Sequence, residues 1–191
     1  DFVEIYTDVP GIAVTDPRIV PDAPFISKIS YEEVITMAEN GAKVIHPRAV
    51  TAAKEFNLQV RVKSTSDESE GTLVGPEASD LTISGISLAK DKAFAKYERE
   101  RAFTEDDVIK LKNLSRDKTV YDGNGGEKVV LINDAEKDAA ENLAEDLDAK
   151  VTFFDAMSKV SVVYKDAINA SAVDEKIAET VSKDEICVIA K

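Results

Sequence analysis

Gly71-Thr-Leu-Val-Gly-Pro76 splits this chain into two stretches of different character. Gly-Pro punctuates strongly, because the residue before a proline is biased toward extended backbone and proline cannot donate to a ladder. Before the break the chain is loop-rich, and residues 7–24 are crowded with Asp, Pro and Gly. After it, strand-like and helix-like segments alternate at regular spacing. A linker is expected at about residues 74–80, and 191 residues leave room for two domains.

In the first stretch, Phe2-Val-Glu-Ile-Tyr6 reads as a strand, β-branched and aromatic. Ser30-Tyr-Glu-Glu33 is a capping box, so a helix is expected over residues 31–40, with Val34, Met37 and Ala38 on one face and Gly41 as its left-handed cap. Pro47 suits the first turn of a second helix, over 47–56, and the alternation of Leu58, Val60 and Val62 predicts a strand. Residues 43–45 read as a turn or strand end. The second stretch predicts a strand at 92–98, a helix at 105–114, strands at 118–122 and 128–132, a helix at 137–146 and a strand at 150–155. Gly123-Asn-Gly-Gly126 joins two of these strands as a hairpin turn. The order is βαββαβ, the ferredoxin-like split βαβ arrangement. A strand at 159–164, a helix at 171–181 and a strand at 185–190 follow, half of a second such unit.

Charge and composition exclude some partners. Lys and Arg number 24 against 37 Asp and Glu, a net charge of −13, so nucleic acid and anionic membrane surfaces find no basic footprint. No apolar run is long enough to span a bilayer, and no signal peptide is expected. A single cysteine, Cys187, excludes an intramolecular disulfide framework and a multi-cysteine metal site, and fits a reducing, cytoplasmic setting. On its apolar strand it reads as a small hydrophobe. The chain opens at Asp1 directly before a strand, so it is expected to belong to a longer protein.

The stretch richest in chemistry is Thr7-Asp-Val-Pro-Gly-Ile-Ala-Val-Thr-Asp-Pro-Arg18. A strand delivers Thr7 and Asp8 at its C-terminal end, where open α/β sheets bind ligands. Pro10-Gly11 turns the chain, and Asp16-Pro-Arg18 returns a carboxylate and a guanidinium toward that edge. Lys43 follows the first helix cap. A nucleoside triphosphate needs groups that hold base and ribose and cations that offset phosphate charge. Thr7 and Asp8 suit the first need, Arg18 and Lys43 the second. The spacing is equally compatible with surface cations on an acidic protein. Asp16 has two readings, a turn starter or an organiser of a metal or other cation.

The succession Tyr6-Thr-Asp-Val-Pro-Gly-Ile12, Thr15-Asp-Pro-Arg18, Ile29-Ser-Tyr-Glu-Glu33, Gly41-Ala-Lys-Val-Ile-His-Pro-Arg-Ala-Val50, Val60-Arg-Val-Lys-Ser-Thr65 and Gly71-Thr-Leu73 resembles the C-terminal part of the aspartokinase catalytic domain. Thr82-Ile-Ser-Gly-Ile-Ser87 is similar to that family's passage into its first ACT domain. The resemblance implies an α/β fold: the C-terminal part of a carbamate-kinase-like, amino acid kinase α/β/α domain over residues 1–75, an ACT domain over 80–157, and a partial or degenerate second ACT unit over 158–191. It implies ATP-dependent phosphorylation of the β-carboxylate of L-aspartate, the first step toward lysine, threonine and methionine, with ATP and Mg²⁺ as cofactors. It assigns nucleotide contacts to Thr7, Asp8, Arg18, Lys43 and Val44. Ala13 stands where the family usually has Tyr, so it is not assigned as a ligand.

The family's N-terminal Lys-Phe-Gly-Gly loop does not occur here, its aspartate-binding residues are expected to lie mostly upstream, and neither a catalytic residue nor a metal ligand is assigned. These residues alone are expected to be inactive and to bind ATP·Mg weakly. A homodimer through the ACT region is expected, with the 159–164 strand as partner edge. The alternative is a non-catalytic regulatory or assembly subunit. His46 is expected to order a helix start and not to act as a base, since transfer to a carboxylate removes no proton. The run Glu98-Arg-Glu-Arg101 reads as a solvated surface. Because residues 98–107 hold neither Gly nor Pro, the amide-lined turn that receives an amino-acid effector is expected to be missing, with Thr104 capping a helix instead.

Overall fold

The computed structural model describes residues 2–42 and 45–164. The described residues form two compact units, one holding residues 2–42, 45–89 and 160–164, the other residues 90–159. The helix expected at 171–181, the strand at 185–190 and Cys187 lie outside the described residues.

The first unit is a mixed four-stranded sheet with two helices. Its strands are β1 (Phe2–Thr7), β2 (Lys28–Ser30), β3 (Gln59–Ser64) and β4 (Thr72–Gly75), in the order β1-β3-β4-β2. β1 runs parallel to β3 from Phe2↔Gln59 to Thr7↔Ser64, β2 runs parallel to β4, and β3 and β4 are antiparallel. Helices α1 (Tyr31–Glu39) and α2 (Pro47–Glu55) lie between β2 and β3 in the chain. Val34 and Met37 of α1 and Val50 and Ala53 of α2 bury against Ile29, Val60, Val62 and Val74. Alternation along β3 therefore sends Val60 and Val62 to the helices and Arg61 and Lys63 to the other face.

Local chemistry explains why α1 forms here. Ser30 Oγ accepts from the Glu33 amide at 3.2 Å, and Glu33 Oε2 accepts from the Ser30 amide at 2.9 Å, the reciprocal cap expected from the sequence. The same carboxylate also accepts the Ser79 amide at 3.0 Å and hydroxyl at 2.9 Å, so one buried glutamate ties α1 to the segment after β4. At the other end Gly41 has φ +105°, its amide donates to Ala38 O, and Ala42 donates to Met37 O. That pairing is the Schellman stop, which favours glycine at the left-handed position. In α2, Pro47 takes the first turn and His46 Nδ1 accepts from the Arg48 amide at 3.2 Å, so His46 is a helix cap, as expected.

The stretch expected as punctuation contains a strand. Gly71, at φ +74°, sits so close to β3 that an added Cβ would lie 2.0 Å from Val62 O, and the turn it makes lets Thr72–Gly75 pair between β3 and β2. Four residues are too few for a clear periodic signal, and the flanking glycines read as loop.

The second unit holds the part of β5 (Ile83–Glu98) from Lys90 on, α3 (Glu105–Leu114), β6 (Val120–Asp122), β7 (Lys128–Ile132), α4 (Lys137–Asp146) and the part of β8 (Lys150–Tyr164) up to Lys159, a βαββαβ order with strands arranged β6-β7-β5-β8. β7 pairs antiparallel with both β5 and β6, and residues 123–126 make the hairpin turn. Leu111, Ala140, Ala144 and Leu147 bury against Ala95, Tyr97, Val130 and Ile132. Two expectations change. β5 starts at Ile83, not at residue 92; Gly85 weakens the strand signal, but an added Cβ there would lie 2.6 Å from the Met37 side chain. β8 is one element, where two strands were expected, because Ala156 absorbs the break as a single left-handed residue at φ +56°.

Candidate functional site

Parallel pairing brings the C-terminal ends of β1 and β3 together, with Thr7 opposite Ser64. Thr65 secures this edge: its amide at 2.9 Å and its hydroxyl at 3.2 Å both donate to Thr7 O. Thr7 Oγ1 in turn donates to Asp8 Oδ1 at 2.9 Å. Beyond the turn, Asp16 Oδ1 accepts the Arg18 amide at 2.9 Å, and both its oxygens accept the guanidinium, the closest at 2.6 Å. Asp16 is the turn starter, and it spends its carboxylate on Arg18 two residues on. The Asp16 carboxylate first, with the Asp8 carboxylate adding to it, raises the Arg18 pKa and secures its charge.

Thr7 closes β1 with Asp8 next to it, and Arg18 lies within reach of the Asp8 charge while bonding to Asp16. Lys43 and Val44 lie outside the described residues. Asp16 holds the Arg18 guanidinium directly, and the Asp8 carboxylate acts on it only through its charge. The Arg18 side chain is 78% exposed and can swing from Asp16 to an incoming phosphate. Ala13 forms an isolated bridge to Phe25, a backbone role that needs no aromatic side chain.

Three contributors were missed in the sequence. Thr65 is one. Thr72 is another: its hydroxyl accepts from Ile12 N at 2.7 Å and donates to Ile26 O at 2.5 Å, pinning both arms of the loop that carries Asp16 and Arg18. Its signal was Gly71-Thr72, read as family pattern with no role given. Glu33 is the third, legible as a cap but not as the partner of Ser79.

The match to known proteins follows this geometry. Residues 1–64 match the model of the amino acid kinase family. Aspartokinase 1 of Bacillus subtilis is 29% identical over 202 residues, covering 99% of this chain and 50% of that protein. Aspartokinase 2 of the same organism is 43% identical over 91 residues, covering 46% of this chain and 22% of that protein. The chain is a relative of the aspartokinases. It spans about half the length of the first of these relatives. Its fold is that of Escherichia coli aspartokinase III, solved in complex with aspartate and ADP, at a TM-score of 0.72 and 24% identity over 100% of this chain and 46% of that one. The aspartate kinase of Clostridium acetobutylicum gives the same TM-score of 0.72 at 22% identity over 98% of this chain and 50% of that one.

In the second unit of this aspartokinase relative, the run 98–101 is not a solvated surface throughout. The Arg99 side chain is only 2% exposed. Its guanidinium pairs with Asp107, donates to Leu147 O at 2.7 Å and Ala102 O at 2.8 Å, and lies 4.1 Å from the centre of the Phe103 ring. A run of alternating charge hides such a residue, because the loop that folds back over it cannot be seen in local pattern. The Arg99 guanidinium first, then the Thr104 amide and hydroxyl, hold the Asp107 carboxyl well below its usual range. Beside this loop a cleft of about 340 Å³ is lined by Glu98, Arg99, Glu100, Gly125 and Glu127.

Proposed function

We propose that this chain is part of an aspartate kinase, whose complete form transfers the γ-phosphoryl group of ATP to the β-carboxylate of L-aspartate, the first step toward lysine, threonine and methionine. What supports the reading is similarity to an aspartokinase along 99% of the chain, with Thr7 and Asp8 at the C-terminal end of β1 and Arg18 under the influence of the Asp8 charge. In this reading Thr7 and Asp8 hold the nucleoside end of ATP, while Arg18, with Lys43, offsets phosphate charge and Val44 lines the nucleotide. A carboxylate oxygen attacks the γ-phosphorus, the bond to the β,γ-bridging oxygen breaks, and ADP leaves; positioning and charge do the work. Mg²⁺ would travel with the triphosphate. Among the described residues no group of three His, Cys, Asp or Glu could hold a metal ion, so no step is assigned to it here.

The βαββαβ unit is read as a regulatory ACT domain that dimerises, in a cytoplasmic enzyme. Residues 1–75 are taken as the catalytic portion, 80–157 as the ACT domain and 158–191 as a second, partial ACT unit. The loop after β5 is a poor receptor for an amino-acid effector, because Arg99 already consumes the carbonyls of Ala102 and Leu147 and three glutamates line the adjacent cleft. The test of the whole reading is kinetic. In the complete protein, Arg18→Ala and Lys43→Ala should each slow phosphoryl transfer at least about tenfold. Near-normal turnover in both would overturn the site.

A further inference from the structure

The loop that carries Asp16 and Arg18 stands on a short neck. Its two arms pair antiparallel: the Ile26 amide donates to Ile12 O at 2.8 Å, the Val14 amide donates to Pro24 O at 3.0 Å, and Ala13 bridges Phe25 between them. In a regular antiparallel ladder, facing residues at such positions exchange two bonds. At Val14 and Pro24 the second bond is impossible, since proline has no amide proton. At Ile12 and Ile26 it is possible, yet it is made through Thr72. That hydroxyl accepts from the Ile12 amide at 2.7 Å and donates to Ile26 O at 2.5 Å. It is a wedge in the base of the neck, holding the two arms apart on one side.

The wedge is rigid and dry. Thr72 opens β4, where it pairs with Val62 of β3, and it is fully buried. Gly11 makes room for it: an added Cβ there would lie 2.6 Å from the Thr72 hydroxyl oxygen. Without the hydroxyl, the Ile12 amide and the Ile26 carbonyl either stay apart, buried and unpaired, or meet directly and close the neck. In both cases the loop above loses its set angle. That loop is braced within itself, since Asp16 O accepts the Ile19 amide at 2.9 Å and the Val20 amide at 3.0 Å, and Ala23 donates to Val20 O at 3.0 Å. It therefore tilts as one piece and carries Arg18 with it. On the kinase reading of this site, we propose that Thr72 is a positioning residue: its hydroxyl fixes the angle at which the loop presents Arg18 to the triphosphate, and so sets the affinity for ATP.

Thr72→Val keeps the shape of the side chain and removes its hydroxyl, while Thr72→Ser keeps the hydroxyl. In the complete protein, Thr72→Val should raise KM for ATP at least about tenfold and leave KM for aspartate within about twofold of the parent. Thr72→Ser should return KM for ATP to near the parent value. Gly11→Ala, which keeps the hydroxyl but crowds it, should raise KM for ATP as Thr72→Val does. Hydrogen exchange on this chain reads the neck without nucleotide. The amides of Ile12, Val14 and Ile26 should exchange at least about tenfold faster in the Thr72→Val chain, and those of α1 from Val34 to Ala38 should not. An unchanged KM for ATP in Thr72→Val, an equal rise in both KM values, or no recovery with serine would overturn the proposal. So would α1 amides that speed up as much as the neck, which would mean a general loss of stability. A complete protein that transfers no phosphoryl group would instead overturn the kinase reading, and the exchange pattern would still decide whether Thr72 holds the neck.

Discussion

The two sheets make an instructive pair. Each has four strands and packs two helices on one face. They differ on the other face. The second sheet closes its own: Phe94, Tyr121 and Val129 are buried there, with Leu131, Phe154 and Met157 packed against them. An ionic clasp holds this closure, since Lys159 Nζ reaches Asp117 at 2.8 Å, lies 5.3 Å from the centre of the Tyr121 ring, and shares Asp117 with the Tyr121 hydroxyl. The first sheet leaves Phe2 and Tyr6 in water on its corresponding face. Aromatic residues on a free sheet face are thus not equivalent. Where β8 bends at Ala156, the chain supplies its own cover; β1 has none among the described residues.

The sharpest way to break this contrast is to remove the ring that the second sheet covers. Tyr121→Ala empties a site that is 5% exposed and strips Asp117 and Lys159 of their shared neighbour, and it should cost about 3 kcal/mol in urea unfolding. Tyr121→Phe should recover most of that loss, since packing dominates. Arg99→Met comes next. It leaves Asp107 and two carbonyls without their partner under Phe103, and should lower the melting temperature of the second unit by roughly 10 °C. An unchanged melting curve would mean that Arg99 is solvated after all, as its sequence context suggests.

That last residue shows what the sequence could and could not reveal. Caps were legible: Ser30 with Glu33, His46 before Pro47, and Thr104 with Asp107 are local devices written within four residues. The βαββαβ order was legible, because alternation and helical period are also local. Thr7 and Asp8 were legible at one strand end, and Arg18 beside Asp16 at one turn. Illegible were contacts that depend on strand register and return loops. Arg99 meeting Leu147, Thr72 bridging Ile12 and Ile26, and Arg61 falling in one row with Glu4 and Lys28 all join residues more than twenty positions apart.

Glu33 gives a smaller effect, confined to the first unit. Its carboxylate accepts from the amides and hydroxyls of both Ser30 and Ser79, so Glu33→Gln should cost about 2 kcal/mol. The pH dependence follows. Burial pushes the Glu33 carboxyl up, but the amides and hydroxyls of Ser30 and Ser79 more than offset it, leaving it below the usual range. Burial likewise raises Asp117, and Lys159 and Tyr121 bring it below the usual value. A carboxyl depressed in the folded state contributes stability above its unfolded pKa and loses it as pH falls through the folded one. Melting temperature should therefore be flat near neutrality and fall below about pH 4.5, with the Glu33→Gln chain showing a shallower fall. Parallel acid limbs for the two proteins would remove Glu33 from the account.

The smallest effect belongs to Tyr6→Ser, the counterpart of Tyr121→Ala on the uncovered face. The ring is 55% exposed, and its hydrogen bond to Glu4 lies in water, where a hydroxyl finds an equal partner. Nothing packs over it among the described residues, so its removal opens no cavity. The chain alone should melt within about 2 °C of the parent, the ordinary range for a surface substitution. The side chain at residue 6 points away from α1 and α2, since its neighbours Ile5 and Val62 occupy that face. A drop comparable to that of Tyr121→Ala would mean that this face is already covered within the chain, and the contrast between the two sheets would disappear.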